Sequence, residues 1–191
     1  MELGAQVDAV DSDGQTVLIL AAQWGSESTF RALVEFGAQV DAVDSDGQTA
    51  LMHAARWGSE SVVRELVELG AQVDAVDSHG KTALMHAAEN GHESTVRALV
   101  ELGAQVDAVD SHGKTALILA AQCNRWGSES VVRALVELGA QVDAVDSDEQ
   151  TALMVAARCV HWWTGHESTV VRELVELGAQ VDAVDSHGRT A

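Results

Sequence analysis

The sequence repeats itself, and that periodicity constrains its fold more than any other property. The run Gly4-Ala5-Gln6-Val7-Asp8-Ala9-Val10-Asp11-Ser12 returns with its glycine at Gly37, Gly70, Gly103, Gly139 and Gly178, in steps of 33, 33, 33, 36 and 39 residues. A period in this range marks a solenoid, in which one small supersecondary unit stacks on copies of itself. Opening each unit at the aspartate before serine gives complete repeats 11–43, 44–76, 77–109, 110–145 and 146–184, flanked by partial units 1–10 and 185–191. Residues 1–191 are read as a single array.

The repeat 44–76 shows how one unit works. Asp44-Ser45-Asp46-Gly47-Gln48 is turn chemistry, with Gly47 supplying a positive φ. Thr49 is placed to cap a first helix through Ala50, Leu51, Ala54, Ala55 and Trp57, which Gly58 breaks. Ser59 is placed to cap a second helix carrying Val62, Val63, Leu66, Val67 and Leu69, with Glu60 in its first turn and Gly70 at its end. Arg64 and Glu68 have the spacing of an i,i+4 ion pair. Ala71–Val76 then runs extended into the next turn as a hairpin-like arm. One such unit cannot bury enough apolar surface alone, so stability must come from stacking, with alanine pairs such as Ala21-Ala22 and Ala54-Ala55 letting helices approach.

Gly47, Thr49, Leu51, Ala54-Ala55, Gly58, Val62-Val63 and Gly70-Ala71 stand where the ankyrin repeat family places its motif residues, and the chain resembles that family five times over. The resemblance implies an all-α solenoid of stacked helix-turn-helix repeats with β-hairpin-like connecting arms. It also implies a protein-binding role, with partners docking on the hairpin tips and the inner face of the first helices. One departure is that the family's Thr-Pro-Leu-His reads Thr49-Ala50-Leu51-Met52 here, so its Thr–His hydrogen bond is expected to be missing. His53 and His86 lie one residue beyond that slot and are not assumed to replace it, while His92 and His166 fall where the family often packs a histidine.

Composition narrows the function classes. With 30 acidic and 11 basic residues the formal charge is −19, which repels phosphate backbones and anionic lipid, so neither nucleic acid nor membrane is expected as a partner. Two cysteines make no disulfide framework, and no signal peptide or long apolar run is visible, so the chain reads as intracellular, cytoplasmic or nuclear. Cys159 with His161 and His166 lacks a group to orient a base and lacks zinc spacing, so no enzyme, metal or cofactor is expected. Cys123 and Cys159 occupy equivalent places in adjacent repeats, too far apart for a disulfide without loop movement. Asp44-Ser45-Asp46-Gly47 resembles a calcium loop only faintly, because Ala42 and His53 fill ligand positions.

Function should lie where the copies differ. The turn tips read Asp13 and Gln15, Asp46 and Gln48, His79 and Lys81, His112 and Lys114, Asp148 and Gln150, then His187 and Arg189. The first-helix ends vary too: Gln23 and Trp24, Arg56 and Trp57, Glu89 and Asn90, Gln122 followed by Trp126, then Trp162 and Trp163. The candidate partner-binding residues are Asp13, Gln15, Trp24, Asp46, Gln48, Arg56, Trp57, His79, Lys81, Glu89, Asn90, His112, Lys114, Gln122, Trp126, Trp162 and Trp163. For each tryptophan an interface anchor competes with simple packing over its own turn, and for each tip charge a solvated face is the plain alternative.

Regularity fails at two places. Glu149 replaces the turn glycine, and extra residues sit at Cys123-Asn124-Arg125 and around 159–164. The first insertion has the length of about one helical turn and could lengthen its helix; the second is expected to bulge as a loop in the least stable part of the interior. No polar capping repeat is visible, which favours a segment of a longer array and end-to-end self-association through the terminal repeats. Two readings follow: a module gripping a partner protein on the tips and first helices, and a structural spacer or assembly segment stacking through its ends.

Overall fold

The computed structural model describes residues 6–24, 27–122, 128–159 and 169–191. Over these residues it places ten helices in pairs: α1 (Val17–Trp24) with α2 (Glu27–Glu35), α3 (Ala50–Arg56) with α4 (Glu60–Glu68), α5 (Ala83–Glu89) with α6 (Glu93–Glu101), α7 (Ala116–Ala121) with α8 (Ser128–Glu137), and α9 (Ala152–Cys159) with α10 (Thr169–Glu176). First helices pack on first helices along the array, and second helices on second helices. The result is an all-α solenoid two helices deep. Among the described residues the hairpin arms contribute only isolated antiparallel bridges, Val10–Thr16, Val43–Thr49 and Val145–Thr151.

The same local devices build every unit. The Thr49 hydroxyl accepts the backbone N–H of Met52 at 3.4 Å, and Thr82, Thr115 and Thr151 act alike at 3.3 Å. Thr49 therefore caps its helix through the Met52 N–H. Ser59 does stand at the start of α4, yet its side chain makes no capping bond. Gly58, at φ 73°, turns the chain between the two helices. Arg64 bonds Glu60 at 3.0 Å and Glu101 of the next repeat at 2.8 Å rather than the expected Glu68. That choice follows from stacking, because reaching across the interface places the guanidinium between two carboxylates.

The core is one continuous cluster between the helix layers. Leu51, Ala54, Ala55, Val63 and Leu66 are at most 1% exposed, as are Leu84, Ala87, Ala88, Val96 and Leu99 in the following unit. Outside the core two polar ladders bind repeat to repeat. In the turns, Ser45, Ser78, Ser111 and Ser147 donate their N–H to the carbonyls of Asp13, Asp46, His79 and His112 at 2.9–3.0 Å. In the arms, the N–H groups of Gln39, Gln72, Gln105, Gln141 and Gln180 donate to Asp8, Asp41, Asp74, Asp107 and Asp143 at 2.9–3.0 Å.

The turns must come close for the first ladder to form. A Cβ at Gly47 would stand 3.0 Å from the Ser78 nitrogen, and one at Gly80 would stand 2.9 Å from that of Ser111. Glu149 keeps the left-handed conformation of the glycines it replaces, at φ 58°. The rung beside it, from Ser186 N–H to the Asp148 carbonyl, is stretched to 3.3 Å. α7 ends at Ala121, so the helix is not lengthened up to the first insertion. Residues 123–127 and 160–168, with the expectations for Cys123, Trp126, His161, Trp162, Trp163 and His166, lie outside the described residues, as does the Cys159 side chain.

Candidate interaction surface

Each turn is held by its leading aspartate. Asp44 Oδ1 accepts the N–H of Asp46 at 2.9 Å and of Gln48 at 2.8 Å, and Asp77, Asp110, Asp146 and Asp185 repeat the pattern. This geometry projects the third residue of the repeat outward: Asp13, Asp46, His79, His112 and Asp148 are all exposed. The fifth residue instead turns toward the end of its own first helix. Gln23 Nε2 donates to Gln15 Oε1 at 2.8 Å, Lys81 Nζ bonds Glu89 at 2.7 Å, and Arg158 donates to Gln150 at 2.9 Å. Tips and helix ends thus form one surface, hereafter the tip strip.

Adjacent repeats continue it. Gln23, His53, Arg56, Trp57, Asn90 and His92, drawn from three successive units, line a groove of about 320 Å³. Trp24 is 82% exposed and Trp57 62%. Arg56 is exposed, Lys114 and Gln122 are half-buried, and among the described residues neither Arg56 nor Lys114 has a side-chain partner. Asn90 donates to the His86 carbonyl at 2.8 Å. His92 stands against Gly58 and bonds the Arg56 carbonyl at 3.1 Å, so its ring joins two repeats. Gln48 departs from its Gln15 and Gln150 counterparts in bonding: it is 8% exposed, and its Oε1 finds no partner.

His53 and His86 lie beneath the strip. Their Nε2–H groups donate to Asp44 at 2.8 Å and to Asp77 at 3.0 Å, and a carboxylate can only accept, so the tautomer is fixed. Burial is the main influence on His86 and lowers its pKa, against the pull of Asp77. Burial alone would raise the Asp77 carboxyl, but the N–H groups of Lys81 and His79 and then the His86 ring outweigh it and lower its pKa. These histidines brace the turns. Among the described residues no group of three or more histidine, cysteine, aspartate or glutamate side chains could hold a metal ion.

The opposite side is different. Along the second helices Arg31 pairs with Glu65, Arg64 with Glu60 and Glu101, Arg97 with Glu93 and Glu137 at 3.0 and 2.7 Å, and Arg133 with Glu173 at 2.7 Å. The Glu173 side chain, above all by hydrogen bonding, raises the Arg133 pKa. These arginines staple repeat to repeat.

The comparison with protein families agrees with this architecture. The sequence model for ankyrin repeats in three copies matches residues 1–77 and 69–146, and the single ankyrin repeat model matches 148–186. The chain belongs to the ankyrin repeat family. No curated protein matches it. Ankyrin repeats are generally protein–protein interaction modules and are typically non-enzymatic. No helix of the described residues is long and apolar enough to cross a membrane.

Sequence reading missed the link between the fifth and thirteenth residues in repeats 11–43, 77–109 and 146–184, and so missed Arg158 as a member of the strip. The signal was there: aligned by repeat, Lys81 stands with Glu89, and Gln15 with Gln23. It also passed over the exposed valines that precede each turn, Val43, Val76, Val109 and Val145, which are 50–57% exposed.

Proposed function

We propose that this ankyrin repeat array binds a partner protein through the tip strip, using Trp24, Arg56, Trp57, His79, Lys81, His112 and Lys114 with the neighbouring tips Asp13 and Asp46. One observation carries the reading: the residues that differ between copies cluster on this surface, while the packing alanines, the capping threonines and both polar ladders hardly change. An exposed Trp57 beside an unpaired Arg56 adds the residue types that dominate binding hot spots. Gln15, Gln48, Glu89, Asn90 and Gln122 support the strip from below rather than tipping it.

The test is partner capture with the intact chain and with the combined variant Trp57→Ala, Lys81→Ala, Lys114→Ala. Loss of the captured protein while the helical circular dichroism is kept supports the strip. Capture unchanged by the triple variant overturns it.

A further inference from the structure

Charge on this molecule is sorted by side. On the second-helix side Arg31, Arg64, Arg97 and Arg133 are neutralised by glutamates of their own or the next repeat. On the tip strip Lys81 is neutralised by Glu89, but the cations flanking it are not. Arg56 shares its repeat with Gln48 at the fifth position and Lys114 with Gln122 at the helix end, and among the described residues neither has a carboxylate partner; Arg158 bonds the neutral Gln150. Many of the acids, meanwhile, are committed elsewhere. The turn aspartates accept backbone N–H groups, the arm aspartates accept the next glutamine, and Glu65, Glu101, Glu137 and Glu173 sit with the arginines of the second helices.

Resting on the tip-strip reading, we infer that the partner presents an extended acidic segment, whose carboxylates meet Arg56, Lys114 and Arg158 while its apolar residues meet Trp57, Val76 and Val109. The total charge of −19 does not reverse this. Exposed charges farther than about 8 Å are screened at physiological salt, so at contact the segment meets the local cations. The end repeats of the footprint carry the acidic tips Asp46 and Asp148, whereas the two tips between them carry His79 and His112. One exposed valine precedes each turn and offers the segment an apolar contact in every repeat.

The probe is a labelled dodecapeptide alternating Glu and Leu, compared with its Gln–Leu and Lys–Leu counterparts by fluorescence anisotropy on the intact chain. The Glu–Leu peptide is expected to bind tightest and to weaken as salt rises. Two double variants of equal net charge localise the effect. Arg56→Gln with Lys114→Gln is expected to weaken binding about tenfold or more, which is about 1.4 kcal/mol. Arg31→Gln with Arg64→Gln is expected to change it by less than about twofold, since those arginines face the other side. A Gln–Leu peptide that binds as tightly as Glu–Leu, no binding of Glu–Leu at all, or a labelled oligothymidylate that binds tighter than the peptide would each overturn the acidic partner. If Gln–Leu or Lys–Leu wins and its binding falls with Trp57→Ala, the strip stands as a protein-binding face and only the acidic preference fails. If Glu–Leu binding responds to the second-helix pair and not to the strip pair, both fail.

Discussion

Glu149 occupies a backbone conformation that every comparable turn gives to glycine, and its side chain is exposed. A left-handed non-glycine residue costs roughly 1–2 kcal/mol. Glu149→Gly is therefore expected to stabilise the protein by about 1–2 kcal/mol in urea unfolding; a neutral or destabilising result would show that the turn had relaxed around the side chain. Thr95 is a second local fault, fully buried with its hydroxyl unpaired where Val62 and Val131 stand in neighbouring units. Thr95→Val keeps the shape and removes the orphaned group, so a gain of about 1 kcal/mol is expected from the same measurement. Burial holds the His86 pKa below its ordinary value. Its lowered pKa means the unfolded chain takes up a proton first as pH falls below about 6.5, so stability is lost on acidification. Asp77 and Asp185, the latter held at about 2 mainly by the Arg189 side chain, add losses of the same sign in stronger acid. Lys81 and Glu89 also act on His86, and in the next unit Leu119 fills its place. His86→Leu should flatten the dependence of the urea midpoint between pH 7.5 and 5.5, and an unchanged slope would clear His86 of that role. Of these residues, Glu149 is legible in the sequence as a single break in the turn motif. Thr95 and His86 could not, since burial without a partner and a bond to Asp77 are properties of packing.

At the scale of the elements, the repeat boundaries, both helices and the turn chemistry were legible because stacking demands the same residues in each copy. What the motif did not reveal was which contacts cross between copies. Arg64 has Glu60 and Glu68 at symmetric spacing in sequence, and only the position of Glu101 in the next unit decides for Glu60. The turn glycines show the same dependence on a neighbour. Gly80 is needed for its φ of 75° and also because a Cβ would meet the Ser111 nitrogen at 2.9 Å. Gly80→Ala should therefore cost more than the roughly 1–2 kcal/mol of left-handed strain alone. The comparison is Gly103→Ala, at φ 100° with nothing near its Cβ, which carries the conformational cost without the clash. If the two substitutions cost the same in urea unfolding, the close approach of successive turns is unimportant to stability.

For the whole molecule, stability should behave as a sum over repeats and the interfaces between neighbours. Removing residues 77–109 joins Val76 to Asp110 and tests this directly. The new neighbours have matching chemistry: Ser111 can donate to the Asp46 carbonyl as Ser78 does, Gln141 to Asp74 as Gln105 does, and Arg64 can reach Glu137 as it reaches Glu101. Leu117, Ala120 and Ala121 would pack on α3 where Leu84, Ala87 and Ala88 do now. A specific loss is the His92 bond to the Arg56 carbonyl, because the aligned position in the following repeat is Ser128. The shortened chain is therefore expected to stay helical per residue and to melt cooperatively at a lower temperature, having lost one unit and one interface. Removing only 77–92 is the contrast, since it leaves α6 without the first helix it packs against. That variant should melt broadly, and a broad melt for the full-repeat deletion as well would mean that the copies are not interchangeable neighbours. The outcome also bears on the tip strip: the deletion takes out the neutralised pair Lys81 and Glu89 and sets Arg56 one repeat from Lys114. A folded deletion variant should consequently retain its grip on the Glu–Leu peptide, although with a shorter footprint, whereas binding that depended on the fold of repeat 77–109 itself would vanish.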